Sequence, residues 1–212
     1  MMDLVCLVAD KNMEAAISGL LERPAALGIR PIATEILVHP RRDPGCFHQA
    51  PELLNGYRAS AEHALVILDR AWDGVPAESA EGVQEQLEEK LRVAGLAGWS
   101  ESVVIDPELE VWVFSDSPNV ASAVGWAGRN PGLRPALEAR DLWARGASKP
   151  ADPKAALEWA LKEVRRPRSS SIYRELAGRV STERCQDQAF LRLKGILRSW
   201  FPQPPIDYPV EA

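Results

Sequence analysis

"HALVILDRAWDG" (residues 63–74) carries five apolar residues in a row, Ala64 to Leu68, which run straight into Asp69, with Asp73 four positions on. An unbroken apolar run of this length reads as a strand buried on both faces, the pattern of a parallel sheet rather than a half-exposed one. A buried strand that stops on a carboxylate puts that carboxylate at the rim of the sheet. There it is either a cation ligand or a polar stop that accepts loop N–H groups.

Working outward, the front of the chain alternates between strand-like and helix-like stretches. Residues 4–9 (LVCLVA) form a first apolar run, and residues 32–38 (IATEILV) a second. Residues 102–105 form a fourth, after the run at 64–68. Between the first two, Asn12 can cap a helix whose inner face carries Ala15, Ala16, Ile17, Leu20 and Leu21. "HPRRDPGCFH" (39–48), with two prolines and a glycine, reads as a loop, followed by a helix over 50–61. Residues 79–94 space Val83, Leu87, Leu91 and Ala94 helically, and 107–116 suggest a short helix. Strand–helix alternation with continuous apolar strands predicts a three-layer α/β, Rossmann-like core with a mostly parallel sheet over residues 1–126.

Residues 127–212 read as a helical, basic C-terminal region with a Pro-rich tail. "GRNPGLRP" (128–135) and "GASKPADP" (146–153) are linker-like, helices are expected over 154–165, 171–179 and 187–200, and "FPQPPIDYPV" (201–210) is not regular structure. Net charge divides the same way. Residues 1–125 carry 9 Lys+Arg against 20 Asp+Glu, and residues 126–212 carry 16 against 10, within an overall −5. Such asymmetry implies two surfaces with different partners, or halves that attract each other.

No apolar run approaches the ~18 residues of a membrane span, and the first residues lack the basic start of a signal peptide. Three widely spaced cysteines point to a reducing cytoplasm rather than a disulfide framework. Cys46 and His48 have no companion pair at zinc spacing. There is no phosphate-binding glycine loop and no nucleophile elbow.

The residues that follow the strands are the chemical signal. Asp10, Lys11 and Glu14 follow the first; His39, Arg41, Arg42 and Asp43 the second; Asp69 and Asp73 the third; Asp106, Glu108 and Glu110 the fourth. Carboxylates crowded at one rim repel one another until a proton or a cation relieves them. Mg²⁺ or Mn²⁺, with its preference for hard oxygen ligands, suits them. Arg41 and Arg42 would hold flanking phosphates. Other readings stay open: "DPELE" (106–110) also makes a good helix start, with Asp106 as cap, and Asp73 before Gly74 is also turn chemistry. In the back half, Arg165, Arg166 and Arg168 precede a serine run and form either an anion-binding surface for nucleic acid or a solvated hinge. Trp72, between the two aspartates, offers an indole on which a base could stack.

"LVCLVAD…MEAAISGLL", "ALVILDRAWD" and "VVIDPELEVWVFSD" together resemble the Toprim-like families of bacterial defence islands, which are distantly similar to the overcoming-lysogenization-defect nucleases and linked to methylation-associated anti-phage systems. The resemblance covers residues 3–117. The family places a glutamate after strand one, where Ala9 stands here with Asp10 and Glu14 close by. Its D-x-D becomes D-x-x-x-D at Asp69 and Asp73, and its E-x-W-x-x-x-D falls on Glu110, Trp112 and Asp116. The resemblance implies Asp69, Asp73, Asp106 and Glu110 as metal ligands for Mg²⁺ or Mn²⁺, Glu14 or Asp10 as general acid/base, and phosphodiesters as substrates. The rival expectation is a catalytically inactive scaffold that docks other defence-system subunits, or binds nucleic acid, through its basic half.

Overall fold

The computed structural model describes residues 1–114, 117–183 and 185–204. Asp116 and positions 205–210 of the proline-rich tail lie outside the described residues. In chain order the elements are β1 (Met2–Val8), α1 (Lys11–Leu21), α2 (Pro24–Leu27), β2 (Thr34–Val38), α3 (Arg42–Asn55), β3 (Ala61–Asp69), α4 (Ala80–Val93) and β4 (Ser100–Ile105). They continue with α5 (Glu110–Val113), α6 (Pro118–Ala123), α7 (Leu133–Glu138), α8 (Pro153–Glu163), α9 (Ser170–Arg179) and α10 (Gln188–Trp200).

The four strands form one sheet in the order β2-β1-β3-β4, and every pairing is parallel. This is the expected α/β class, and the reason is visible in the central strands: Leu4 to Val8 and Ala64 to Leu68 are all fully buried. The chain moves from β1 outward to β2, then returns past β1 to β3. Right-handed crossovers therefore put α1 on one face and α3 and α4 on the other. The direction reverses between β1 and β3, which opens a crevice at their carboxyl ends, where open α/β sheets bind ligands.

The helices of the back half join this core. α9 lies against α1, and α10 against β4. The close approach of α1 to α9 needs Gly19, because a Cβ there would sit 2.9 Å from both Ala177 Cβ and the Arg174 carbonyl oxygen. Arg23 donates to the carbonyls of Ala177 and Val180 at the end of α9 (2.7 and 2.9 Å), giving orphan helix-end acceptors a partner. On α10, Arg192 donates to the Ser102 carbonyl of the edge strand β4 (2.8 Å) and pairs with Glu88 and Glu101. No helix among the described residues is long and apolar enough to cross a membrane, and the three cysteines are free.

Two local expectations change next to the crevice. The helix after β2 begins at Arg42 rather than near residue 50, because Pro44 falls in its first turn, where a missing N–H breaks no helical hydrogen bond. Gly45 is there for space: a Cβ would lie 1.9 Å from Nδ1 of the buried His39. The cap of α1 is Asp10, not Asn12; its Oδ1 accepts from the N–H groups of Asn12 and Met13, both at 2.9 Å.

Candidate functional site

At the crevice between the ends of β1 and β3 lies a cavity of about 350 Å³. Six carboxylates line it: Asp10 from the end of β1, Asp43 from α3, Asp69 from the last position of β3, Asp73 from the following turn, and Glu108 and Glu110 from the segment after β4. Four cationic side chains, Arg41, Arg42, Lys154 and Arg168, share it. Six against four leaves a formal charge of −2 when all are ionised, the deficit that one divalent cation or two protons would cancel.

Asp69 is the centre of this arrangement. The residue as a whole is half-buried, yet its Oδ1 is cut off from solvent and has no hydrogen-bond partner. Burial first, then the surrounding carboxylates of Asp43, Glu110, Glu108 and Asp10, push its pKa well above the ordinary 3.8. Asp43, which the loop-like sequence of 39–48 kept out of the expected ligand set, fixes the strand end by accepting the Asp69 N–H at 2.8 Å. Burial raises the Asp43 pKa as well; the Asp69 N–H opposes the rise and the Asp10 carboxylate adds to it. The turn that delivers Asp43 is held by His39, whose Nδ1 accepts the Arg41 N–H at 3.0 Å. Burial, then the Arg41 charge, lowers the His39 pKa, the direction that favours the neutral ring this bond requires. Arg42 sits in the left-handed backbone region (φ 49°) at the cavity edge, a conformation that costs a non-glycine residue energy.

The opposite wall is already paired. Glu110 is buried, with a side chain 3 % exposed, and its Oε1 accepts from Tyr173 (2.6 Å) and Arg168 (2.5 Å). Arg168 also donates to Glu158 (3.2 Å) and to the Tyr173 hydroxyl (2.9 Å). Burial, then the Glu110 carboxylate, raises the Tyr173 pKa. Glu108 holds Lys154 at 2.6 Å, a bond that raises the Lys154 pKa and keeps it charged.

Of the expected site residues, Asp10, Asp69, Asp73, Glu110, Arg41, Arg42 and Arg168 meet in this cavity. Four do not. Asp106 does not line the cavity and caps no helix: it pairs outward with Arg70 at 2.5 Å, with its side chain 54 % exposed, while the next carbonyl, that of Pro107, accepts the Ala71 N–H. Glu14 points away along α1 and pairs with Lys11 at 2.7 Å, since the inner face of that helix is Met13, Ala16, Ile17 and Leu20. Arg165, Arg166 and Arg168 do not form one exposed face. Arg165 stays exposed, Arg166 turns inward to the Ala123 carbonyl and to Glu175, and Arg168 enters the cavity. Asp10 reaches the cavity, and its Oδ1 caps α1 by accepting from the Asn12 and Met13 N–H groups. The Trp72 ring packs 5.9 Å from Phe47 and 6.3 Å from His48 rather than standing free for a base, and its Nε1 is buried without a partner.

No group of three or more His, Cys, Asp or Glu among the described residues is spaced to enclose a metal ion. Mg²⁺ and Mn²⁺ often take only one or two protein carboxylates, with the remaining oxygens from water and ligand phosphate. Asp69 Oδ1 is the unsatisfied hard donor that such an ion needs. No protein-family model, curated protein or solved structure matches this chain.

Proposed function

We propose that this chain binds Mg²⁺ or Mn²⁺ at Asp69 and processes phosphodiesters in the cavity around it, as a nuclease-like component of a bacterial anti-phage defence system. The observation that carries this reading is Asp69, whose Oδ1 is buried without a partner, as one of six carboxylate residues that line the cavity at the switch point of the sheet. The defence setting, with nucleic acid and other defence subunits as partners, rests on the Toprim-like resemblance of residues 3–117. A bound divalent ion would supply Lewis-acid polarisation of a phosphoryl oxygen. The chain's own residues do the rest: Asp69 holds the ion, Asp43 fixes the strand end that carries Asp69, and Arg41 and Arg42 bring positive charge to the cavity edge.

A specific observation favours a second reading, the inactive scaffold. Glu108 and Glu110 are already neutralised by Lys154 and Arg168 from the back half, so the rim is partly closed by the chain itself.

Thermal unfolding at pH 8 with Mn²⁺ and a short single-stranded oligonucleotide, on wild type and Asp69→Ala, tests both. A ligand at a hundred times its Kd stabilises by about 2.7 kcal/mol. At ~2–4 °C per kcal/mol for a chain of this size, the wild type should melt roughly 5–10 °C higher and the variant should not respond. Mn²⁺-dependent cleavage of the oligonucleotide, lost in Asp69→Ala, selects the enzyme; a shift without cleavage selects a cation-binding scaffold. Identical curves with and without Mn²⁺ would remove the cation from either reading.

A further inference from the structure

A second cavity, of about 410 Å³, opens where α5 meets the segment before α8 and the segment before α10. It shares no residue with the cavity around Asp69. Its volume falls within the ~300–1,000 Å³ of small-molecule sites. Val111 and Phe114 give it an apolar side, and Lys149 and Asp187 are its two charged residues. The chain fixes Lys149 there by its neighbours. The Ala147 carbonyl accepts from Trp143 Nε1 (3.0 Å) and from Arg134 (2.8 Å), and the buried Pro150 holds the residue before it in extended backbone. Asp187 is fixed as the cap of α10, its Oδ1 accepting from Trp112 Nε1 (2.8 Å) and the Phe190 N–H (3.0 Å).

Lys149 is placed unlike the other lysines. Lys11 and Lys154 each hold a glutamate, at 2.7 and 2.6 Å, whereas Lys149 is in no ion pair among the described residues and directs its Nζ to the Val111 carbonyl at 2.5 Å. It is half-buried, and burial lowers its pKa, with the Cys185 thiol and the Asp187 carboxylate opposing the fall. A lysine amine held in a desolvated pocket is an activated nucleophile. The Val111 carbonyl engages one N–H and leaves the nitrogen lone pair of the neutral amine for an incoming carbon. A protonated imine keeps one N–H, which can hold the same carbonyl, and the Asp187 charge favours the cation so formed.

We propose that Lys149 forms a reversible imine in this cavity with a small, uncharged hydroxy-aldehyde. The amine lone pair makes the C–N bond as the carbonyl π pair moves to oxygen. The oxygen then leaves as water with both amine protons, and the imine nitrogen takes one proton from solvent; no oxidant or reductant is consumed. The ligand class follows from the lining. Ser117, Ser181, Gln186 and Gln188 offer neutral hydroxyl and amide groups to the hydroxyls of such a ligand, and the Asp187 carboxylate opposes an anionic one. This site is independent of the cation reading, and either can fail while the other stands.

Reductive trapping tests it. The full chain is treated with glycolaldehyde and sodium cyanoborohydride at pH 8, stopped at low conversion, and the reduced adduct on each lysine is measured by peptide mass spectrometry. Lys149 should be labelled at least ~5-fold faster than Lys11, whose side chain is 72 % exposed. In ~6 M urea, which unfolds the chain, the two rates should agree within ~2-fold. With glyoxylate, the anionic aldehyde, the ratio of Lys149 to Lys11 labelling in the folded protein should fall at least ~3-fold, and Asp187→Asn, which keeps the capping oxygen and removes the charge, should restore it. Lys149 labelled no faster than Lys11 in the folded protein overturns the inference. A preference for Lys149 that persists in urea also overturns it, because the cavity is then not its source. Glyoxylate that selects Lys149 as well as glycolaldehyde does overturns the uncharged ligand class.

Discussion

Replacing Asp69 by asparagine should make the protein more stable at pH 8 in the absence of divalent ions, with a melting temperature roughly 2–10 °C above wild type. The sign follows from the direction of its pKa shift. Burial and four neighbouring carboxylates raise the Asp69 pKa well above 3.8 in the folded protein, so the folded state holds the proton more tightly than the unfolded chain does. Stability is then fully present below the ordinary carboxylate pKa and falls as pH rises from about 3.8 through the raised folded value. At pH 8, far above the ordinary carboxylate range, the wild type carries the cost of this buried, unpartnered carboxyl oxygen, about 1–3 kcal/mol. Asparagine has the same shape and no charge, and its amide donates to the carboxylates that Asp69 repels. The gain should shrink as pH is lowered toward 4, where wild-type Asp69 is protonated. Mn²⁺ with phosphorylated trithymidylate should reverse the ranking by stabilising the wild type alone. An Asp69→Asn variant less stable than wild type at pH 8 would show that Asp69 has a protein partner after all.

Arg168→Met should have the opposite and larger effect. It leaves the Glu110 carboxylate, 3 % exposed, with Tyr173 as its remaining donor in this cluster. Breaking a buried ion pair by removing one partner costs roughly 3–5 kcal/mol; the 30 % exposure of Arg168 moves this toward ~2–4 kcal/mol, since water screens part of the pair. The expected fall in melting temperature is roughly 5–15 °C. Glu110→Gln in the same chain should recover much of it, because the amide no longer needs a countercharge. A coupling energy above ~1 kcal/mol in the double-mutant cycle supports the pair. Additive losses would mean that Arg168 acts through Tyr173 and Glu158 instead. A loss that the double variant does not repair bears on the route from front to back half, since Arg168 is one of the contacts that tie residues 127–212 to the rim.

Much of this was readable from the chain itself. The apolar runs at 4–8 and 64–68 are legible because strands buried on both faces have no polar alternation to hide them, and Asp69 is legible because it ends one of them. The crevice followed from the ends of the strands without any contact being known. Asp43 was hidden by its neighbours: "DPG" reads as a chain breaker, while its proline and glycine in fact open α3 and make room for His39. Asp106 misled for the complementary reason. "DPELE" has the composition of a helix start, yet the Arg70 guanidinium takes that carboxylate outward, and Arg70 is 36 residues away along the chain. The pairings of Lys154 with Glu108 and Arg168 with Glu110 span 46 and 58 residues. No local pattern specifies such contacts; they exist because α8 and α9 pack onto the front half, placing basic side chains where the acidic rim attracts them.

The most direct measurement is the anomalous scattering of a crystal equilibrated with Mn²⁺ and phosphorylated trithymidylate at pH 8. The expected result is a manganese peak about 2.0–2.3 Å from an Asp69 carboxylate oxygen. A cavity without a peak, with Asp69 bonded to a protein donor, would contradict the claim that this buried carboxylate exists to hold a cation.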